Sequence, residues 1–424
     1  MSPAPDHPRD PLTWNVLIAL AFLALAAIRL TIPGKAFFDE VHYLPAARAM
    51  LALSHPVNVE HPLLGKELMA LGMRLFGDNP FGWRVLPVLF GTLGLFAAMR
   101  ALWFASCSRF ASIAGGVLIA SDFMWFVMSR IAMLDVFMAS FVLIALWALA
   151  GAVRENETGR RRLAIAGIAL GLAMAAKWNA VPLAVLPGLT FAVVRFRAMG
   201  WRGLTGSRAA PVAGIALWEA ALWLGVLPLV VYALTFVPAM FYAEDPLSPT
   251  GLVAYHRQMI ALQEEVLKPH PYQSVWYQWI ADWRAIWFLY EPVDGAQRGI
   301  LLVGNPLTML AGLVAMVWAA VHGISEKRPA ALAVFVLYAV GLGTWILAAK
   351  PVQFYYHYLL PGTFLMAALA LALDDRWRRG HRKLALVTLA ASVALFAGFY
   401  PILSAAPLAG PQSFAHWMWL RNWR

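Results

Sequence analysis

Charged residues and cysteine are both scarce in this chain of 424 residues. Only 13% of its residues are charged and 61% are hydrophobic, whereas an ordinary soluble domain carries about 25% charged residues. The composition therefore excludes an ordinary soluble globular protein. The single cysteine, Cys107, excludes a disulfide framework and a cysteine-ligated zinc site.

Motifs for nucleotides and for catalytic zinc are missing as well. The sequence contains no GxGxxG or P-loop pattern, so nothing in it supports binding of a nucleotide or a nucleotide sugar. It contains no HExxH motif and no cysteine cluster that would indicate zinc. We therefore expect no cofactor.

Long apolar runs dominate what is present, and they predict an all-α polytopic membrane protein. A helix needs about 20 residues to cross the hydrocarbon core of a bilayer. On this basis eleven spans are predicted, at approximately 14–32, 81–103, 110–128, 131–153, 163–178, 180–194, 212–240, 299–321, 331–349, 352–373 and 384–404. Residues 1–404 then form one transmembrane domain, which is followed by an outward-facing tail at 405–424.

The net charge of +11 follows the predicted topology. Arginines and lysines are concentrated in one set of alternating loops, including 154–162, 195–208 and 376–383, and such loops stay in the cytoplasm. The N-terminus is then cytoplasmic, and the loops 33–80 and 241–298 face the periplasm or exterior of a bacterial inner membrane. We therefore expect membrane lipids as partners and no nucleic acid.

The first outward loop carries two adjacent carboxylates, Asp39 and Glu40, in the stretch FDEVHY. Adjacent side chains point in different directions, so one carboxylate can act on a substrate while the other orients a partner. The alternative is the start of an ordinary solvated loop. Because nucleotide sugars are not readily available outside the membrane, an active site here favours a lipid-phosphate donor.

Two short amphipathic segments in the same loop are predicted to lie in the membrane interface. The second contains leucines at helical spacing, namely Leu64, Leu68, Leu71 and Leu75. Before it, His61 precedes a proline and is expected in an extended turn. A phosphate near Lys66 would gain the lysine charge and the free amides of the helix N-terminus. The alternative is a lysine that snorkels to the lipid headgroups.

Further ionisable residues lie at the predicted outer ends of other spans, where such residues are functional candidates. They are Arg130 and Asp135 in SRIAMLD, Lys177 in AAKWN, and Lys350, Tyr356 and His357 in or beside QFYYHYLLP. Arg130 and Asp135 can equally form an ion pair that locks two helices. Lys177 can snorkel, and His357 can be a hydrogen-bonded packing residue.

Aromatic residues are frequent in the loop 241–298. Tyrosine and tryptophan are typical of the belt that anchors a protein at the membrane interface. The same rings also suit a wall that binds a sugar or a prenyl chain, and both interpretations stay open at this point.

The order of these motifs resembles that of a known family. FDEVHY, HPLLGK, Arg84 in GWRVLP, SRIAMLD, AAKWN, VGNP and FYYHYLLP occur as in the protein O-mannosyltransferases, glycosyltransferase family 39, of the GT-C membrane fold. The resemblance covers residues 30–400. Two departures are a leucine in HPLLGK where many members have a second proline, and the absence of the family's large outward insert.

The resemblance implies an inverting glycosyltransferase that uses a polyprenyl-phosphate sugar, with mannose or another hexose as the sugar. Asp39 would be the general base and Glu40 would position acceptor or donor. Lys66, Arg84 and Arg130 would surround the donor phosphate. No divalent metal is expected.

The resemblance leaves the acceptor open. It can be Ser or Thr of an exported protein, or a lipid or envelope glycan, as in the related enzymes that modify lipid A with aminoarabinose. A transporter of lipid-linked sugars is a different class, which would place ionisable groups at the membrane midplane. The sequence places only Glu219 well inside a span, which favours surface chemistry.

Overall fold

The computed structural model of the chain describes residues 9–265, 270–348 and 350–423. The described part of the chain is mostly helical, at 71% of its residues. Its helices are α1 Leu12–Ala27, α2 Glu40–Leu51, α3 Leu64–Phe76, α4 Pro80–Ser106, α5 Arg109–Ala120, α6 Phe123–Met128, α7 Leu134–Arg154, α8 Gly159–Ala176, α9 Val181–Met199, α10 Leu217–Ala221, α11 Leu227–Leu234, α12 Leu252–Glu264, α13 Trp276–Ile280, α14 Pro306–Ser325, α15 Pro329–Leu347, α16 Leu359–Arg378 and α17 Arg382–Leu403. A π-helical turn joins α10 to α11.

Eight helical segments are long and apolar enough to cross a membrane among the residues that the structure describes. They contain α4, α7, α9, α10–α11 and α14 to α17. The chain is therefore a multi-pass membrane protein, as predicted. The three other predicted spans coincide with α1, α5–α6 and α8, which are shorter or carry charge at one end.

The two interfacial segments predicted in the first loop are helices α2 and α3. In α3, Leu71 and Leu75 are 46% and 61% exposed, while the face that carries Lys66 and Met69 is buried against the bundle. Leu71 and Leu75 thus form an outer apolar face, which suits a helix lying in the membrane interface, whereas Leu64 is buried.

The predicted all-α fold is wrong at one place, a two-stranded antiparallel sheet. Strand β1 spans Ile286–Val293 and pairs with β2, Ala296–Leu302. The turn residues Asp294 and Gly295 both have positive φ, as a two-residue hairpin turn requires. Because the backbone of 299–302 is paired in this sheet, the span predicted at 299–321 begins only with α14.

The C-terminal tail packs against this hairpin. Trp423 is buried, and its indole Nε1 donates to the carbonyl of Asp282 at 2.7 Å. Trp287 of β1 donates in turn to the carbonyl of Trp423 at 3.0 Å. The tail therefore closes one side of the region formed by the loop after α11 and the hairpin.

Candidate active site

Side chains from five separate parts of the chain meet at one end of the helical bundle. They are Asp39 before α2, His61 before α3, Asp135 at the start of α7, Lys177 after α8, and Lys350 and Tyr356 before α16. Each sits at a helix end, where the backbone of the bundle fixes its position while its side chain remains outside the helical core. The structure thus brings together residues that the sequence separates by more than 300 positions.

Asp39 has an unusual position among the carboxylates of this site. It occupies the N-cap position of α2, but its side chain accepts no hydrogen bond from the helix. Asp39 is half-buried in the recess that these side chains form, and the Tyr356 hydroxyl reaches its carboxyl there. Burial raises its pKa to about 6, while Lys177 opposes the shift. The Asp39 carboxyl therefore has a pKa near the range that suits a general base.

Glu40, the neighbour of Asp39, is fully enclosed instead. Its Oε1 accepts from Arg84 Nε at 2.8 Å and from the backbone N–H of Ala132 at 3.0 Å. Its Oε2 accepts from Arg84 Nη2 at 2.8 Å and from the Phe37 N–H at 3.3 Å. Glu40 thus ties the loop before α2 to α4 and to the loop before α7, and it does not reach the recess.

The resemblance implied that Arg84 lies beside the donor phosphate, but in the structure its guanidinium binds groups of the protein itself. Besides its two bonds to Glu40, it donates to the carbonyls of Leu30, Pro33 and Lys35 at 2.7 to 3.2 Å. A guanidinium has five N–H donors, and each of the five has an acceptor within the protein. The Glu40–Arg84 pair is therefore an internal brace that holds the first loop in place.

Asp135 pairs with Lys177, not with Arg130. The Lys177 ammonium lies 2.7 and 2.9 Å from the two carboxylate oxygens of Asp135, and both side chains are buried. The ammonium also lies 5.0 Å from the centre of the Tyr356 ring. Lys177 is thus held inside the site and does not snorkel.

Arg130 lies behind the recess. Its guanidinium donates to the carbonyls of Ala26, Ile28 and Arg29, which end α1. These contacts neutralise the free carbonyls of a helix C-terminus with a cation. Arg130 therefore fixes α1 against the loop before α7, a structural contact that the sequence did not reveal.

Lys66 points into the protein from the first turn of α3. It is 1% exposed and donates to the carbonyls of Asn58 and His61 at 2.7 and 2.9 Å. Burial lowers its pKa to about 7, while Glu60 and Glu67 oppose the shift. The snorkelling alternative is therefore wrong for Lys66.

The ring of His61 lies tilted at 60° to that of Tyr43, with ring centres 5.8 Å apart. Burial and the charges of Lys177, Lys350 and Lys66 lower its pKa well below the usual value. His61 is therefore a neutral imidazole surrounded by three ammonium groups. That surrounding charge marks the recess as a place for an anion.

His357 is enclosed by aromatic rings. It stacks on Trp345 with ring centres 3.7 Å apart, and its Nδ1 accepts from the backbone N–H of Phe354. Its Nε2 has no hydrogen-bond partner among the described residues. The structure thus supports the packing role of His357, and it leaves one ring nitrogen unused.

Lys350 was one of the predicted functional candidates at the outer ends of spans, but no specific role was predicted for it. Burial lowers its pKa to about 8, and the carboxylates of Asp135, Asp39 and Glu60 act on it in the opposite direction. No carboxylate lies within 4 Å of its ammonium in the part of the chain that the structure describes. Lys350 is therefore a cation of the recess that no carboxylate neutralises.

Aromatic rings of the loop 241–298 do approach the recess. Phe288 of β1 stacks on Phe38 with ring centres 4.0 Å apart, and Phe38 lies edge-on to Tyr356 at 6.1 Å. Trp279 is fully buried and lies edge-on to both Trp345 and His357. These rings build a wall beside Asp39 and are not solely an interfacial belt.

The arrangement combines two chemical functions within one recess. Asp39 can take a proton from a hydroxyl, and the ammonium groups of Lys66 and Lys350 can balance a phosphate. A base on one side and cations on the other suit displacement of a phosphate from a sugar carbon by an alcohol.

Comparisons with known protein families agree with this chemistry. The profile of the family described as dolichyl-phosphate-mannose-protein mannosyltransferase matches residues 60–224. The profile of the C-terminal four-transmembrane region of protein O-mannosyltransferase matches residues 249–423. A relative from Corynebacterium glutamicum, a polyprenol-phosphate-mannose–protein mannosyltransferase, is 27% identical over 98% of this chain and 94% of its own length.

Solved structures show the same fold. The Saccharomyces cerevisiae protein O-mannosyltransferase Pmt1–Pmt2 complex bound to the sugar donor matches with a TM-score of 0.81 and 14% identity, over 96% of this chain and 92% of that chain. ArnT from Cupriavidus metallidurans bound to undecaprenyl phosphate matches with a TM-score of 0.59 and 17% identity, over 88% of this chain and 63% of that chain. Both are similar to this chain along most of its length.

Proposed function

We propose that this chain, which belongs to the protein O-mannosyltransferase family, transfers mannose from a polyprenyl-phosphate donor to serine or threonine of an exported protein. The observation that carries the proposal is the recess itself. It holds Asp39, whose carboxylate accepts no hydrogen bond from its helix, together with two ammonium groups. Lys350 forms no ion pair among the described residues, and Lys177 pairs only with Asp135. The matching relatives are named for this donor and this class of acceptor.

The reaction is a single in-line displacement. Asp39 takes the proton of the acceptor hydroxyl while the oxygen attacks the anomeric carbon of the sugar. The bond from that carbon to the phosphate oxygen breaks, and polyprenyl phosphate leaves with the electron pair. One displacement inverts the anomeric configuration. Cations that stabilise the departing phosphate make a general acid unnecessary.

The cations divide into two groups in this proposal. Lys350 contacts the donor phosphate, Lys66 acts on it through its positive charge from inside the protein, and Lys177 contributes through the charge that it shares with Asp135. Arg84 and Arg130 are positioning residues, since their guanidinium groups are bonded to Glu40 and to backbone carbonyls. Tyr356 orients the Asp39 carboxylate, and His61 and His357 line the donor side of the recess.

The membrane arrangement is also part of the proposal. In this proposal the eight long spans together with α1, α5–α6 and α8 make eleven crossings, so the two termini lie on opposite sides. The N-terminus lies in the cytoplasm and the recess on the periplasmic face of the inner membrane. Residues 1–404 form the transmembrane catalytic domain, and the tail at 405–424 lies on the same side as the recess. The basic loops on the opposite side support this orientation.

A lipid or envelope glycan is the second candidate acceptor, because the fold is also similar to that of ArnT bound to undecaprenyl phosphate. A transporter has less support. Glu219 is the third residue of its span, not a midplane group, and it pairs with Arg160 at 2.6 Å near one end of the bundle.

The test uses the purified chain in lipid with polyprenyl-phosphate-mannose carrying labelled mannose. Acceptors are a Ser/Thr-rich peptide and a lipid extract, each assayed with the wild type and with Asp39→Asn. We expect label on the peptide and none with Asp39→Asn. Label in the lipid extract alone would replace the protein acceptor by a glycolipid, and movement of donor across the membrane without transfer would indicate a transporter.

A further inference from the structure

A polar groove of about 630 Å³ lies beside the recess. One wall consists of 270–284, which includes α13, and the other consists of 350–353, the segment before α16. The backbone N–H of Ser274 donates to the carbonyl of Gln353 at 2.8 Å, so the two walls are joined at their base. No role in the proposed transfer reaction has been given to this groove.

The groove connects to the recess through Lys350. This residue lines the groove, and its ammonium also interacts electrostatically with the carboxylates of Asp39 and Asp135. A molecule lying in the groove would therefore end next to the reactive carboxylate. That is the place where an acceptor hydroxyl has to arrive.

The lining of the groove is positively charged. It contains Arg284 and Lys350, and no carboxylate lines it among the described residues. Arg284 donates to the carbonyl of Pro271 at 2.5 Å and forms no ion pair within the described part of the chain. A neighbouring pocket shares Arg284 and adds Arg421 from the tail. Negative charge on a ligand would thus find unpaired cations here.

Gln353 provides a second, independent sign of a ligand. Its side chain is 9% exposed, and its Nε2 donates to the carbonyl of Trp345 at 3.1 Å. Its Oε1 has no hydrogen-bond donor among the described residues, although the residue lines the groove. An unpaired buried acceptor is costly. The backbone N–H of a polypeptide would satisfy it.

We propose that this groove binds the acceptor polypeptide and selects acceptors that carry Asp or Glu beside the modified serine or threonine. The inference rests on the proposed function, and it names the acceptor class of that same site. Carboxylates of the acceptor pair with Arg284 and Arg421, and an acceptor backbone N–H donates to Gln353.

The experiment compares peptides that differ only beside one threonine, with Asp, Ala or Lys at the flanking positions. The full-length wild type in lipid is assayed with polyprenyl-phosphate-mannose, and kcat/KM is measured for each peptide. We expect the Asp peptide to exceed the Ala peptide by about tenfold, as charged hydrogen bonds at a partly exposed site allow. The Lys peptide should be the poorest acceptor.

Arg284→Gln should abolish this preference, so that kcat/KM is about equal for the Asp and Ala peptides. Arg284→Lys should keep part of the preference. The control is Arg74→Gln, which changes an exposed arginine of α3 outside the groove and should keep the full preference. Donor KM, measured in the same assays, should not follow the acceptor preference.

Three results would overturn the inference. Equal kcat/KM for the Asp and Ala peptides with the wild type would do so while leaving mannose transfer to peptides intact. A loss of donor affinity in Arg284→Gln, without a change in acceptor preference, would assign the groove to the donor. Transfer to no peptide at all would remove both the inference and the proposed function.

Discussion

Asp39 and Glu40 are adjacent in the chain, yet their surroundings give them opposite properties. Glu40 accepts four hydrogen bonds and is fully enclosed. Asp39 is half-buried in the recess, and although it occupies the N-cap position of α2, its side chain makes no cap hydrogen bond. The sequence predicted that the two side chains would diverge, because adjacent residues do not face each other. The sequence did not reveal that Arg84 is fully hydrogen-bonded within the protein. The carbonyls that it binds belong to the loop after α1, and no local sequence pattern predicts the path of that loop.

The pKa of Asp39 predicts how transfer depends on pH. The carboxylate must be deprotonated to act as a base, and its pKa is raised to about 6. We therefore expect kcat/KM to fall as the pH drops below about 6 and to level off above it. A pH–rate profile with a neutral peptide checks this prediction. A rate that stays constant from pH 5 to pH 7 would contradict it.

Affinity for the donor should change at higher pH. Lys66 and Lys350 have pKa values lowered to about 7 and about 8, so both lose their charge as the pH rises through this range. We expect the Kd of the donor to increase above pH 8, because the phosphate then faces uncharged amines. Lys350→Arg should reduce this increase, since arginine keeps its charge. Donor binding that is independent of pH from 7 to 9 would argue against both lysines as phosphate ligands.

The Glu40–Arg84 brace should matter more for stability than for chemistry. Arg84→Met leaves the buried Glu40 carboxylate without its cation, which typically costs about 3–5 kcal/mol of folding free energy. The double variant Glu40→Gln/Arg84→Met removes both charges and should recover much of that loss. Thermal unfolding in detergent measures the difference. Equal destabilisation by the single and double variants would show that the pair is not coupled.

Helix α3 depends on close packing against α4. A Cβ added at Gly72 would lie 2.4 Å from the carbonyl oxygen of Gly82, so the two backbones touch where only glycine fits. The helical spacing of leucines predicted the existence of α3, which spans Leu64–Phe76. The inward direction of Lys66 was not predictable in the same way, because it follows from this contact between two glycines.

Gly72→Ala should therefore displace α3 and lower both stability and transfer activity. We expect a fall in the unfolding temperature together with weaker donor binding, since Lys66 moves with the helix. Gly343→Ala is the matched control, because a Cβ at Gly343 in α15 meets nothing within 4 Å. If the two variants behave alike, the close approach of α3 and α4 does not position the site.

The hairpin β1–β2 shows where the prediction from sequence failed. Its turn, Asp294-Gly295, is a strong hairpin signal, but it was read as part of a loop rich in aromatic residues. The strands bury Ile286 and Leu302, and the Asp294 carboxylate accepts from the backbone N–H of Gly34 at 2.7 Å. The hairpin thus supports the first loop, in which Asp39 lies.

At the scale of the whole molecule, the distribution of arginine and lysine predicts the orientation in the membrane. The eight long apolar helices coincide with eight of the eleven predicted spans, because length and hydropathy decide which segments can cross a bilayer. The assembly of the recess from five helix ends depends on how the helices pack, which a single sequence does not show. Only the family resemblance, through the order of the motifs, indicated that these residues form one site.

The orientation can be tested with the single native cysteine. Cys107 is partly exposed in the short loop between α4 and α5, on the side that we assign to the cytoplasm. A membrane-impermeant thiol reagent should label it in inverted vesicles and not in intact cells. Cys107→Ser with Ser248→Cys places the thiol in the exposed loop after α11 and should reverse this pattern. Labelling of Cys107 from outside would invert the assigned topology.

The measurement that tests the central claim most directly is made on Asp39→Asn in lipid. Asparagine keeps the size of the side chain but cannot take a proton from the acceptor. The account predicts that the donor still binds with a Kd near that of the wild type, whereas mannose transfer to a Ser/Thr peptide falls by about 10²- to 10⁴-fold, as loss of a general base does. Transfer at the wild-type rate by this variant would contradict Asp39 as the base.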